Sequence, residues 1–231
     1  MPLAAVLLDL DGTLLDTAPD LAYCLNTLRA EHDLAPLDYA SIRVQVSNGT
    51  AAVLREGFAS ANEAQFQALR KRFLELYSAN LSRETRLFAG FEPVLAQLEA
   101  HGIPWGVITN KPQFLTEPLL KQLHLFTRAS VVLSGDSLPK QKPDPLPLLT
   151  AARHINLDPE RCLYLGDALR DAQAARAANM TSLGARFGYI DPRDELLAWP
   201  VDAWIEQPLE LLDWVGLRGA ASQRDGAKEP V

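Results

Sequence analysis

Apolar and polar residues alternate along the chain in two distinct rhythms. The run Leu3 to Leu8 is short, continuous and apolar, and it ends in Asp9-Leu10-Asp11-Gly12. A run of that kind fits a strand buried on both faces and closed by a tight loop. Similar runs recur at Pro104 to Ile108, Ser130 to Leu133, Cys162 to Leu165 and Thr181 to Gly184, with a weaker one at Ala203 to Ile205. Between them the spacing turns helical. Glu92 to His101 places Val94, Leu95 and Leu98 on one face before Gly102, and Glu117 to Leu123, Pro145 to His154 and Asp171 to Ala178 follow the same logic. Strands that alternate with helices predict right-handed crossovers and a mostly parallel sheet, a Rossmann-like α/β fold.

The stretch Asp16 to Arg86 breaks the alternation. It has helical periodicity throughout: Leu21, Leu25 and Leu28 on one face, Val53, Leu54 and Phe58 on another, and Phe66, Leu69, Phe73, Leu76 and Tyr77 along a long amphipathic helix. Asn62 and Gln65 stand at the spacing of a capping box at the head of that helix. The expected organisation is an α/β core from residues 1–15 and 87–217, an all-helical insertion at 16–86 covering the sheet, and a polar, Gly- and Ala-rich tail at 218–231 that is expected to be disordered.

Composition narrows the chemistry. The 231 residues carry a net charge of −7, which disfavours a nucleic-acid partner. No apolar run approaches membrane-spanning length, and no basic stretch precedes the first apolar run, so no membrane partner and a cytoplasmic location are expected. Cys24 and Cys162 lack a second cysteine at ligand spacing and read as small buried hydrophobes. His32, His101, His124 and His154 are scattered and read as surface or helix-end residues.

Four fragments remain, each at or beyond the end of an expected strand, the edge where open parallel sheets bind ligands. In Asp9-Leu10-Asp11-Gly12-Thr13, two carboxylates two residues apart can face one site. One can act as nucleophile while the other cycles as acid and base. In Thr109-Asn110, a hydroxyl and an amide can donate to phosphate oxygens. Lys142, just ahead of Pro143 and expected to stand at the opening of a helix, can neutralise a phosphoryl oxygen and an aspartate together. In Gly166 to Asp171, Asp167 ends a strand and Asp171 lies one helical turn later, a set of hard oxygen donors suited to magnesium.

These four fragments, in this order, resemble the motifs of the haloacid dehalogenase superfamily of phosphatases, over nearly the whole chain to about Leu217. The resemblance implies Asp9 as nucleophile, Asp11 as general acid/base, and Thr109 and Lys142 as phosphate binders. It also implies Mg²⁺ held by Asp9, the Asp11 backbone carbonyl and Asp167, with Asp171 in support. Residues 16–86 look like that family's small helical cap. Within the superfamily the chain resembles the phosphoglycolate phosphatase group. The stretches Trp105 to Pro112 and Phe187 to Pro192 are similar to bacterial N-acetylmuramic acid 6-phosphate phosphatases, although Ser47-Asn48-Gly49 departs from the Ser-Gly-Gly-like loop expected there. The substrate implied is a small phosphate monoester, N-acetylmuramic acid 6-phosphate or 2-phosphoglycolate. A phosphomutase and a non-catalytic phospho-ligand-binding regulator are the alternatives. Ser47, Asn48, Gly49 and Thr50 are expected to open a helix and to meet the non-phosphate end of the substrate, Gly49 by permitting close approach; the competing expectation is that Asn48 or Thr50 merely caps that helix.

Overall fold

The computed structural model describes residues 2–217; the expected tail at 218–231 lies outside the described residues. Six parallel strands form the central sheet: β1 (Ala5–Leu8), β4 (Trp105–Ile108), β5 (Val131–Leu133), β6 (Cys162–Gly166), β7 (Thr181–Ala185) and β8 (Ala203–Ile205), in the order β5-β4-β1-β6-β7-β8. Every run expected to be a strand is one. In β1, Ala5 and Leu7 pack into one apolar cluster with Leu148, Ala151 and Ala175, whereas Val6 and Leu8 pack into another with Val94, Leu95 and Leu98. Burial on both faces is why the run is continuously apolar rather than alternating.

Helices α5 (Phe91–Ala100), α6 (Gln113–Gln122), α7 (Leu146–His154), α8 (Leu169–Ala177) and the short α9 (Leu211–Trp214) accompany the sheet. Strand order reverses direction at β1: the chain steps outward through β4 and β5 on one side, and through β6, β7 and β8 on the other. Such a switch point opens a crevice at the C-terminal edge of the sheet.

Helices α1 (Ala18–Ala30), α2 (Tyr39–Arg43), α3 (Thr50–Gly57) and α4 (Glu63–Ala79) fill the stretch between β1 and α5. The capping box at α4 is present in both directions: Gln65 N–H donates to Asn62 Oδ1 at 3.0 Å, and Asn62 N–H donates to Gln65 Oε1 at 2.9 Å. The apolar cluster on the Val6 face continues without a break into Leu25, Leu54, Phe73 and Tyr77 of these helices. Cys24 and Cys162 are buried and free, and the four histidines are exposed.

Two features escaped the sequence pattern. Strands β2 (Leu15–Asp16) and β3 (Arg86–Leu87) pair antiparallel where the chain leaves and re-enters the sheet region, and two residues are too few to show a period. Lys142 and Pro143 also do not open a helix. They lie in a loop, and α7 begins at Leu146 with Pro145 as its N-cap, because a residue that precedes proline is disfavoured in helical geometry and Lys142 and Asp144 both do.

Asp20, on α1 and fully buried, ties the two crossings together. Its carboxylate accepts from the N–H groups of Glu84 (2.9 and 3.1 Å) and Thr85 (2.9 Å) and from the Thr85 hydroxyl (2.7 Å). Asp20→Ala strands these donors and is expected to cost about 2–4 kcal/mol. Urea unfolding monitored by circular dichroism checks this; a change below about 0.5 kcal/mol, the range of an ordinary surface substitution, counts against the tie.

Candidate active site

The loops after β1, β4, β5 and β6 converge at the switch point. Asp9 follows β1 directly, and Lys142 reaches it from the loop beyond β5. Lys142 Nζ donates to Asp9 Oδ1, to Asp171 Oδ1 and to the Tyr164 hydroxyl, each at 2.7 Å. Lys142 is 3% exposed. Burial works against its charge, but the two carboxylates beside it outweigh that and raise its pKa.

Asp9, Asp167 and Asp171 are buried, and one carboxylate oxygen from each lies within 4.8 Å of the other two. Burial pushes Asp9 up to about 6 despite Lys142, with Asp171 adding to the rise. Burial, with Asp9 and Asp171 next, raises Asp167 to about 7. Three carboxylates against one ammonium leave an excess of negative charge that a hard cation relieves. The all-oxygen donor set fits magnesium and offers no soft ligand. Asp171 has its own partners as well, Lys142 on Oδ1 and the Ala168 N–H on Oδ2 at 3.0 Å. That arrangement suits a supporting position.

Gly12 has φ +82°, and a Cβ there would overlap the Asp167 carboxylate, so both backbone angle and space demand glycine. Thr13 Oγ1 donates to Asp167 Oδ1 at 3.2 Å. Asp167 Oδ2 accepts from Tyr189 N–H at 2.8 Å and from Ser47 Oγ at 2.6 Å, so a residue of the helical insertion touches the carboxylate cluster.

The sequence-derived residues do come together, with some roles redistributed. Thr109 lies beside Asp9 in the cavity wall, and its Oγ1 accepts from Lys111 N–H at 3.1 Å. Asn110 also lines the cavity, but its amide is committed to the Lys142 backbone. Asn110 Nδ2 donates to Lys142 C=O at 2.9 Å, and Lys142 N–H donates to Asn110 Oδ1 at 3.1 Å. It thereby splints the long loop that presents Lys142. Ser47 and Asn48 are held by Arg170 of α8, which donates to Ser47 C=O at 2.6 Å and to Asn48 Oδ1 at 3.1 Å. The residue at the head of α3 is Gly49, with no side-chain cap, so neither Asn48 nor Thr50 caps it. Gly49 has a φ of +84°, which favours glycine, and no protein atom beyond its chain neighbours lies within 4 Å of where a Cβ would stand.

Asp9, Asp11, Thr109, Asn110, Lys142 and the Ser47 to Thr50 loop line a cavity of about 520 Å³ between the sheet edge and the insertion. Residues that the pattern missed complete its wall: Arg70 and Tyr77 from α4, Lys111 from the loop after β4, and Arg170 from α8. Tyr77 sits on the apolar stripe of α4 and was read as core. Lys111 lies two residues past Thr109, which is the one local hint of its place.

A family model described as haloacid dehalogenase-like hydrolase matches residues 6–185. A phosphoglycolate phosphatase of Xanthomonas campestris pv. campestris is 44% identical over 207 residues, covering 90% of this chain and 94% of the relative. An N-acetylmuramic acid 6-phosphate phosphatase of Pseudomonas putida is 42% identical over 212 residues, covering 91% and 95%. Among solved structures, a predicted phosphoglycolate phosphatase from Haemophilus somnus 129pt superposes with a TM-score of 0.82 at 26% identity, over 91% of this chain and 97% of that one. Among the described residues no helix is long and apolar enough to cross a membrane.

Proposed function

The chain belongs to the haloacid dehalogenase-like hydrolases, and from that membership we propose a magnesium-dependent phosphatase that cleaves a small, carboxylate-bearing phosphate monoester through an aspartyl-phosphate on Asp9. Asp9 attacks phosphorus in line while Asp11 protonates the departing alcohol. Asp11 then takes a proton from the water that hydrolyses the aspartyl ester. Lys142 and the Thr109 hydroxyl bind the phosphoryl oxygens. Asp9, Asp167 and the Asp11 carbonyl, with Asp171 in support, would hold magnesium, which would offset the negative charge of the phosphoryl group. In this reading residues 1–15 and 87–217 form the catalytic core and 16–86 the cap that excludes water.

The observation that carries the reading is the Asp9–Lys142–Asp167–Asp171 cluster at the switch point, whose Asp9 and Lys142 line a cavity far larger than a phosphate needs. A volume of about 520 Å³ lies in the range of pockets that enclose a drug-sized ligand, about 300–1,000 Å³. Phosphoglycolate adds only two carbons to its phosphate. An aminosugar phosphate with a lactyl carboxylate uses more of that space, and Arg70, Arg170 and the free amides at the head of α3 suit the carboxylate. We therefore favour N-acetylmuramic acid 6-phosphate over 2-phosphoglycolate. The segment Phe187 to Pro192, similar to the aminosugar-phosphate phosphatases in sequence, is tied to the insertion. The carbonyls of Phe187 and Gly188 accept from Arg43 of α2, and the Tyr189 hydroxyl donates to Asp16 at the start of the insertion.

Release of inorganic phosphate from the two substrates, each at equal concentration, tests the choice. The expected ratio of kcat/KM is at least about tenfold in favour of the aminosugar phosphate. A clear preference for phosphoglycolate reverses it. Sustained phosphate release from either one separates a hydrolase from a mutase, which returns the phosphoryl group to its product.

A further inference from the structure

We propose that Lys111 is a positioning residue for Asp11, clamped in place by Tyr77 of the helical insertion, so that the acid/base carboxylate is set for proton transfer only while the insertion is docked. This rests on the acid/base role of Asp11 in the reading above and adds the device that orients it.

The two aspartates of the Asp9-Leu10-Asp11 pair are served by parallel chains of contacts. Asp9 is held by Lys142, which donates to the Tyr164 hydroxyl. Asp11 is held by Lys111, whose Nζ donates to Asp11 Oδ1 at 2.9 Å and to the Tyr77 hydroxyl at 2.8 Å. The difference lies in where the tyrosines stand. Tyr164 is in β6 and Lys142 in the loop after β5, so the nucleophile's chain closes without the insertion. Tyr77 is on α4, so the chain of Asp11 closes only through the insertion.

Both anchors of Lys111 are firm. Its backbone N–H donates to Thr109 Oγ1 at 3.1 Å, and its carbonyl accepts from the Gly135 N–H at 2.9 Å. Tyr77 is 1% exposed and stacks on Phe73 at 6.3 Å between ring centroids. The ammonium also lies 4.6 Å from the Tyr77 ring centroid. Asp11 Oδ1 accepts a second bond from Thr17 Oγ1 at 2.7 Å, and among the described residues no hydrogen bond reaches Oδ2. One carboxylate oxygen is fully committed and the other is left to carry the proton. Without Lys111 the carboxylate keeps a single tether and can rotate, and a misplaced acid loses much of its effect.

The test uses benzyl phosphate and p-nitrophenyl phosphate. They are similar in size and neither carries a carboxylate. Benzyl alcohol must be protonated as it leaves, whereas p-nitrophenolate leaves without help. Hydrolysis of the aspartyl ester is common to both esters, so the comparison is made on kcat/KM, which reports the steps up to departure of the alcohol: Lys111→Met is expected to lower kcat/KM on benzyl phosphate about 100-fold and on p-nitrophenyl phosphate less than about fivefold. Lys111→Arg should recover at least about tenfold of the benzyl loss, because a charged donor is restored. Tyr77→Phe, which keeps the packing and removes the hydroxyl, should show the same split at about three- to tenfold. Equal losses of kcat/KM on the two esters overturn the proposal: Lys111 would then be structural or a substrate binder. If Lys111→Met does not fold, the arginine and phenylalanine variants decide by the same split. A wild-type protein that releases phosphate from neither these esters nor the two carboxylate-bearing substrates refutes the phosphatase reading instead.

Discussion

Asp9→Asn should abolish turnover, by at least about 10³-fold, while leaving the fold intact. The amide keeps the shape of the carboxylate and an acceptor oxygen for Lys142 Nζ, now 2.7 Å from Asp9 Oδ1. What it loses is the nucleophile. Stability should not suffer, because the ionised carboxylate is itself disfavoured: burial holds Asp9 up at about 6, and Asp171 crowds it. At pH 8 the native state carries that ionised group at a cost, and the neutral amide removes it. The metal-free variant is therefore expected to melt no lower than wild type, read by circular dichroism alongside phosphate release. Residual activity above a few per cent in a folded variant takes Asp9 out of the nucleophile's role.

Chelation of divalent cations should be equally complete in its effect, with Mg²⁺ restoring activity and Ca²⁺ failing to. Magnesium keeps near-octahedral geometry, whereas calcium accepts extra oxygen ligands and longer bonds that disturb in-line attack. Metal binding should also show without turnover. A cation binds the ionised carboxylates, and protons compete for them. Asp167 at about 7 and Asp9 at about 6 are progressively protonated as the pH falls through those values. Apparent affinity for Mg²⁺ should therefore drop below pH 7, and the gain in Tm on adding Mg²⁺ should be several degrees at pH 8 and small at pH 5.5. Full activity in excess chelator, or a Tm gain that ignores pH, refutes a metal held by these carboxylates.

Local chemistry was legible wherever its cause lies within a few residues. The strands were readable because burial on both faces makes each run continuously apolar. The α4 capping box was readable because Asn62 and Gln65 satisfy each other across one turn. Asp9, Thr109 and Asp167 stood out because each follows such a strand, and every parallel strand delivers its next residue to the same edge. The ribbon of β2 and β3 was not readable, since its two pairs, Leu15 with Leu87 and Asp16 with Arg86, meet only once the insertion between them has folded.

The division of labour within the site belongs to the tertiary structure. Asn110 looked like a phosphate donor, yet its amide is used on the backbone of Lys142, 32 residues away. Tyr77 looked like core because its ring packs in the apolar stripe, and only its hydroxyl, across from Lys111, shows a second use. Ser47 reaches Asp167 across 120 residues. The sequence by itself determined which backbone turns place carboxylates at the sheet edge, because strand ends and tight glycine turns are local. Which oxygen of each carboxylate is occupied, and by which lysine, was decided only when distant elements packed together, because a hydrogen-bond partner is chosen by distance in space and leaves no period in the chain.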